Sequence, residues 1–410
     1  MVAKTKPSWP SVTGPLAEYA DGFRAELARL GYTPLTTASQ LRLVAHLSRW
    51  LAAEGLGAPT LTVPVAERYF AGRRSAGYAN ERTVAALGPL LGYLRGLGAA
   101  PAAVMASPAT ATGQLLARYA SYLAAERGLV QTTVALNVRL VRPFLVQRAQ
   151  GRDGRLDLEQ LTAAEVRAFV VAQSRQRPRS VKRVVSALRS LLGFLHVDGI
   201  IGAPLAGAVP SPAGWMLTGL PKALEAVQVA AMLASCDLRT ATGRRDRAIL
   251  LLLARIGLRA GEVAALGLDD IDWRRGELTV CGKRGRRDRL PLPADVGQAI
   301  VAYLRDGRPE NALDRAVFIR AQAPRRALTY LGITEIVSIA ARRAGIPGRV
   351  RAHRLRHSAA TAMLRAGGSL TEIGQTLRHL RPLTTAIYAK VNVEALRPLA
   401  RPWPAEAVTA

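Results

Sequence analysis

The segment Val84-Ala-Ala-Leu-Gly-Pro-Leu-Leu-Gly-Tyr-Leu94 returns as Val185-Ser-Ala-Leu-Arg-Ser-Leu-Leu-Gly-Phe-Leu195. Upstream, Gln40-Leu-Arg-Leu-Val44 returns as Asn137-Val-Arg-Leu-Val141. Helical patterning alone repeats apolar positions but rarely the same glycine, and Gly92 and Gly193 both stand between Leu-Leu and an aromatic-Leu pair. The first two hundred or so residues therefore read as two copies of a four-to-five-helix module, which leaves little room for a sheet there.

The first copy, residues 16–107, follows a loose lead-in at 1–15 that carries Pro7, Pro10 and Pro15. Apolar residues recur at three- and four-residue spacings through Phe23, Leu27 and Leu30. Helices are expected from Leu16, then over about 38–53, 65–73 and 81–97, with 55–64 a loop and 99–108 a Pro/Ala/Ser-rich connector. The second copy occupies 108–205. A Pro- and Gly-rich linker, 206–221, precedes a third domain at 222–395, and 396–410 is a tail. In the third domain the pattern predicts helices near 225–235, 244–256, 257–266, 295–304, 332–343, 354–366, 370–378 and 384–389. Ser369-Leu-Thr-Glu372 reads as a capping box. Glu277–Cys281 and Arg289–Leu292 read as two short strands around the basic turn Gly282-Lys-Arg-Gly-Arg-Arg287. The fold class is mainly α, with helical modules and an α-rich domain that holds one small antiparallel β-sheet.

Charge narrows the partner. Lys and Arg number 57 against 29 Asp and Glu, a formal net charge of +28. Such an excess repels itself and calls for a polyanion, nucleic acid first. An anionic membrane surface is the competing partner, but the apolar run Ala248–Ala254 is too short to span a bilayer, and no signal-peptide core opens the chain. Cys236 and Cys281 make neither a disulfide framework nor a zinc spacing, so a reducing cytoplasm is expected. The second module places Arg175, Arg177, Arg179, Lys182 and Arg183 at one helix start, either as a solvated face or as a phosphate contact. Arg284, Arg286 and Arg287 crowd the turn of the hairpin in the same way.

The chain has five histidines, and His353, His357 and His379 lie within one short stretch that ends at Tyr388. His353 and Arg356 are three apart and share a helix face. With Arg259 and Lys283 they form a set without a carboxylate cluster for Mg²⁺, a phosphate-cradling Gly loop or a zinc spacing. Two arginines suit the non-bridging oxygens of a phosphodiester and its more highly charged transition state. A tyrosine hydroxyl can attack phosphorus if a neighbour takes its proton, and His353 suits that task while His379 suits donation to the phosphate. A leaving alkoxide needs a proton, which Lys supplies better than Arg. Lys occurs only six times among the 57 basic residues, so Lys283 stands out.

At these residues the sequence resembles the tyrosine recombinase (phage integrase) family. Gly257-Leu-Arg-Ala-Gly-Glu262 is similar to its first arginine box, with Arg259 the clamp and Glu262 a supporting acid. Gly282-Lys283 is similar to the hairpin lysine, His353-Arg-Leu-Arg356-His-Ser-Ala-Ala-Thr to the His-x-x-Arg box, and His379 with Thr384-Thr-Ala-Ile-Tyr388 to the final histidine and nucleophile. Residues 109–205 resemble the family's core-binding domain, whereas the module before them is extra. Arg378 stands where the family usually has Gly, which would set an added charge beside the phosphate.

The resemblance implies strand cleavage by Tyr388 through a 3′-phosphotyrosyl link, with a free 5′-hydroxyl and no metal or other cofactor. Exchange would pass through a Holliday junction in a tetramer of this chain on two double-stranded DNA sites, with sister recombinases or DNA-bending proteins as further partners. Residues 391–398 are the candidate for docking on a neighbouring protomer or packing on their own domain. An integrase and the transposase of a mobile element both fit. The alternatives are a type IB topoisomerase-like relaxing enzyme and a non-catalytic DNA-binding protein of the same fold.

Overall fold

The computed structural model describes residues 8–81, 83–102, 110–150, 156–176, 178, 180–211, 223–282, 285–310, 312, 314–379 and 384–391. Its contacts divide the chain into two compact units, Val104–Met216 and Met1–Ala103 with Leu217–Ala410.

The Val104–Met216 unit holds helices α5 (Ala111–Ala125), α6 (Gln131–Gln150), α7 (Ala163–Gln176) and α8 (Val181–Val197). On α8, Val181, Val184, Val185, Leu188, Leu191, Leu192 and Leu195 are buried, the three-and-four spacing of a helix with one face in a core. They pack with Tyr119, Phe144 and Phe169. The equivalent leucines of the first module, Leu90, Leu91 and Leu94, are buried in their own cluster with Phe23, Leu47 and Phe70.

That first module consists of α1 (Ala20–Arg29), α2 (Pro34–Ala53), α3 (Val63–Ser75) and α4 (Gly88–Gly96). The structure lengthens α2 at its start, because Thr33 caps it and Pro34, with φ already suited to a helix, takes the first position. The single helix expected over 81–97 is instead a 3-10 turn at Val84–Leu87 followed by α4, whose first turn carries Pro89. The Leu30 carbonyl accepts the Arg325 N–H at 2.9 Å, a backbone tie between this module and a loop of the third domain.

The third domain is built around α10 (Ala241–Arg255). Its residues Ala248 to Leu253 are all buried, so the apolar run is a core helix with neighbours on every side. Packed near it are α9 (Ala226–Ala234), α11 (Ala260–Ala265), α12 (Ala294–Asp306), α13 (Tyr330–Arg343) and α14 (Ala352–Arg365). Beyond α14 come α15 (Leu370–Thr376) and a 3-10 helix, Ala386–Val391, where an α-helix was expected. The capping box of α15 is present: Glu372 accepts the Ser369 N–H at 2.8 Å, and Ser369 Oγ accepts the Glu372 N–H at 3.2 Å. Among the described residues the sheet has three antiparallel strands rather than two, in the order β1 (Ile271–Asp272), β2 (Glu277–Cys281), β3 (Arg287–Pro291). Two residues are too few to display a period-2 pattern, which hid β1 from the sequence. Arg287 pairs with Cys281 and belongs to β3, so the turn is one residue shorter than expected.

Candidate active site

Gly257 ends the α10 segment with φ +70, and a Cβ there would lie 2.5 Å from a Leu377 methyl. Both the left-handed backbone and the close approach require glycine. The turn sets Arg259 as the residue that caps α11, in extended conformation. Its N–H donates to Glu262 Oε2 at 2.8 Å and its Nη1 to Glu262 Oε1 at 2.6 Å, which holds the guanidinium in one orientation with the side chain 40% exposed. Burial pushes the Glu262 carboxyl up, but the Arg259 N–H and the Arg378 and Arg259 guanidiniums outweigh it, and the group sits below the usual carboxylate range.

Arg378 was expected to place its charge beside the phosphate; the structure turns it inward. Its side chain is 5% exposed and donates from Nη2 to Glu262 Oε2 at 2.7 Å. The backbone explains both this and the usual glycine. After α15, the Arg378 N–H donates to the Gln375 carbonyl and the His379 N–H to the Gly374 carbonyl, each at 2.9 Å, and Arg378 has φ +54. This is a Schellman turn, whose left-handed position favours Gly. A non-Gly residue there carries about 1–2 kcal/mol of backbone strain, which the ion pair to Glu262 helps to offset. The same turn aims the Arg378 carbonyl at Arg259 Nη2, 3.3 Å away.

Glu262 therefore binds the first arginine box to the turn that carries His379. Glu262→Gln should destabilise the domain by about 3–5 kcal/mol, the usual cost of leaving a buried charge without its partner. The wild-type carboxyl has a folded pKa below its unfolded one, so its contribution is present above the ordinary carboxylate range and fades as pH falls below it. Melting curves against pH should show the gap between wild type and Glu262→Gln closing on acidification.

On α14, Arg356 is 1% exposed and donates from Nη1 to the Gly257 carbonyl and from Nη2 to the Leu377 carbonyl. It thus ties the first box to the end of α15. Burial, then Arg259, lower its pKa to about 10. His353 lies one turn before His357, with ring centroids 4.5 Å apart and edge to face. Burial against its neighbours, then Arg356 and Arg259, hold its pKa below the usual imidazole value. A cavity of about 720 Å³ opens along Arg259, His353 and Arg356, with Tyr330, Arg349 and Arg351 also on its wall.

His379 and Tyr388 meet the same site from the last segment. Gly374 on α15 lets that segment approach, since a Cβ there would lie 2.9 Å from Thr385 Oγ1. Thr385 Oγ1 is 2.7 Å from His379 Nδ1, and the His379 ring is stacked with that of Tyr388 at 6.5 Å. Burial, then Arg356 and Arg259, lower His379 to about 4. Tyr388 is 2% exposed and packs with Ala360, Ile373 and Leu377; burial raises its pKa, and Arg356 pulls in the other direction. Its hydroxyl is 2.9 Å from Nδ1 of His357, a residue to which the sequence had given no role.

Of the sequence-derived site, Arg259, Glu262, His353, Arg356, His379 and Tyr388 converge in this domain. Lys283 and Arg284 lie outside the described residues, as do Arg177 and Arg179. Arg286 is exposed and donates to Asp288 at 2.8 Å; Arg287 is exposed on β3. Arg175, Lys182 and Arg183 are exposed in the other unit, at the end of α7 and the start of α8. Residues 392–398 of the tail lie outside the described residues.

Residues 222–395 match the phage integrase family, and residues 116–199 match the phage integrase N-terminal SAM-like domain. A putative integrase/recombinase, y4rA, of Sinorhizobium fredii is 42% identical over 398 residues, 96% of each chain. Tyrosine recombinase XerD of Mycobacterium tuberculosis is 32% identical over 299 residues, covering 68% of this chain and 93% of XerD. Among solved structures, XerH site-specific recombinase bound to palindromic difH substrate, a post-cleavage complex, superposes with a TM-score of 0.55 at 16% identity, over 82% of this chain and 93% of that one. Similarity over nearly the whole length of y4rA and XerD shows that the chain belongs to the phage integrase family, the tyrosine recombinases that break and rejoin DNA strands.

Proposed function

We propose that this recombinase cleaves double-stranded DNA sites with Tyr388 as nucleophile. The convergence of Arg259, Arg356, His379 and Tyr388 from four separate segments is the observation that carries the reading. Arg259 and Arg356 face a phosphate's non-bridging oxygens, with His353 and His379 beside them and Lys283 as proton donor to the leaving 5′-oxygen. Burial first, and then the neighbouring cations, hold these groups below their ordinary proton affinity, and a phosphodiester anion would relieve the repulsion between Arg259 and Arg356. Attack leaves a 3′-phosphotyrosyl ester and a 5′-hydroxyl. The hydroxyl of a partner strand then displaces the tyrosine, which conserves the bond without nucleotide hydrolysis.

Exchange between two sites requires a tetramer and a Holliday junction. One solved neighbour with this fold is a lambda integrase tetramer bound to a Holliday junction, which supports that assembly by likeness of fold. Arg175, Arg177, Arg179, Lys182, Arg183, Arg284, Arg286 and Arg287 would supply phosphate contacts, and the 16–107 module would extend the grip on DNA. No helix among the described residues is long and apolar enough to cross a membrane, and a place in the cytoplasm with the nucleoid fits an enzyme of DNA.

A two-plasmid assay tests the reading. Each plasmid carries a DNA sequence enriched from a random pool by binding to the protein, and the buffer contains EDTA and no ATP. Strand exchange should yield joint plasmids. Relaxation of supercoils without joint products would point to a topoisomerase instead.

A further inference from the structure

Two histidines, His357 and His379, lie against Tyr388 and a third, His353, lies against His357; they are not equivalent. His379 is engaged through Nδ1 by Thr385 Oγ1, and its ring lies flat against the tyrosine at an interplanar angle of 7°. His353 touches the histidine one turn on but faces the cavity of the two arginines. His357 alone has a ring nitrogen at hydrogen-bond distance from the tyrosine hydroxyl, 2.9 Å, with the rings tilted by 61°. The spacing of His353 and His357 on α14 puts one beside the arginines and the other beside the nucleophile.

We propose that His357 is the catalytic base that takes the proton of Tyr388 as the phenol oxygen attacks phosphorus. The proposal rests on Tyr388 as nucleophile and gives a role to a residue that follows Arg356 in the His-x-x-Arg box and had none. His357 Nδ1 must be unprotonated, with the ring proton on Nε2. Burial, then His353 and Arg356, lower its pKa to about 4, so the neutral form dominates near neutral pH. Burial raises the pKa of the Tyr388 phenol and Arg356 pulls it only part of the way back, so the attacking oxygen needs a neighbour to take its proton. In the step, a Tyr388 Oη lone pair forms the bond to phosphorus and the bond from phosphorus to the 5′-oxygen breaks. The phenol proton passes to His357 Nδ1, and the departing oxygen takes a proton from Lys283. Rejoining runs in reverse: imidazolium returns its proton to the leaving phenolate.

The competing role for His357 is to anchor the tyrosine ring. Replacing Tyr388 with a polyfluorinated tyrosine separates the two, because its phenol is far more acidic than that of tyrosine and depends much less on a base. The substrate is a nicked duplex bearing the pool-selected sequence, and the readout is the initial rate of covalent adduct formation. With ordinary tyrosine, His357→Gln should be slower than wild type by about 10²- to 10⁴-fold, the scale of a lost general base. Fluorotyrosine should recover most of that loss in His357→Gln and change wild type little. Recovery is a ratio within one variant, so a shared loss of folded protein cancels. Equal slowing with both tyrosines, or no slowing at all, overturns the proposal. Absence of adduct from wild type would instead count against Tyr388 as the nucleophile.

Discussion

Tyr388→Phe should bind its DNA as wild type does and form no covalent adduct at any time. The substitution removes one oxygen. The ring keeps its place against Ala360, Ile373 and Leu377, so the apolar burial that holds the 3-10 helix is retained. What is lost is the hydrogen bond to His357 and the oxygen proposed to attack phosphorus. An unsatisfied imidazole nitrogen costs about 1–3 kcal/mol if it stays dry, which leaves room for a folded protein. Gel-shift titration and denaturing-gel trapping on the nicked duplex separate binding from chemistry. An adduct from the Phe protein would mean that another side chain is the nucleophile.

Lys283 carries the second large effect. It follows Gly282, whose N–H closes the hairpin on the Arg286 carbonyl at 2.7 Å between β2 and β3. Lys283→Ala and Lys283→Arg should both slow cleavage by about two to four orders of magnitude, because a guanidinium holds its proton too tightly to release it to an alkoxide. Affinity should change little, since Arg284, Arg286 and Arg287 keep the turn cationic. A substrate with sulfur in place of the bridging 5′-oxygen has a leaving group that needs no proton. It should restore both variants far more than it helps wild type. Equal slowing on the two substrates would make Lys283 a phosphate contact.

Which parts of this site were legible in the sequence follows from the range of the interactions. The helix expected over 244–256 and the start of α15 at Ser369 and Glu372 were legible, because periodicity and capping act within a few residues. The boxes around Arg259, His353, Arg356, His379 and Tyr388 were legible as a set by order and residue type. The role of His357 was not: its partner returns 31 residues later in the chain, and only tertiary packing decides which of two histidines on one helix face meets the tyrosine. Arg378 was misread for a similar reason. Its charge was visible, but its direction depends on a left-handed turn and on Glu262, 116 residues away. Thr385 passed unnoticed because its contact with His379 requires the close approach that Gly374 allows.

Covalent chemistry at one named residue is the centre of the account, and mapping the link tests it most directly. Wild-type protein is trapped on the nicked duplex, the adduct is digested with protease and nuclease, and the DNA-bearing peptide is sequenced by mass spectrometry. The account predicts a single peptide containing Tyr388 joined to the 3′-phosphate of the cleaved strand, with a free 5′-hydroxyl on the other side of the break. A link through any other residue, or through a 5′-phosphate, would contradict it.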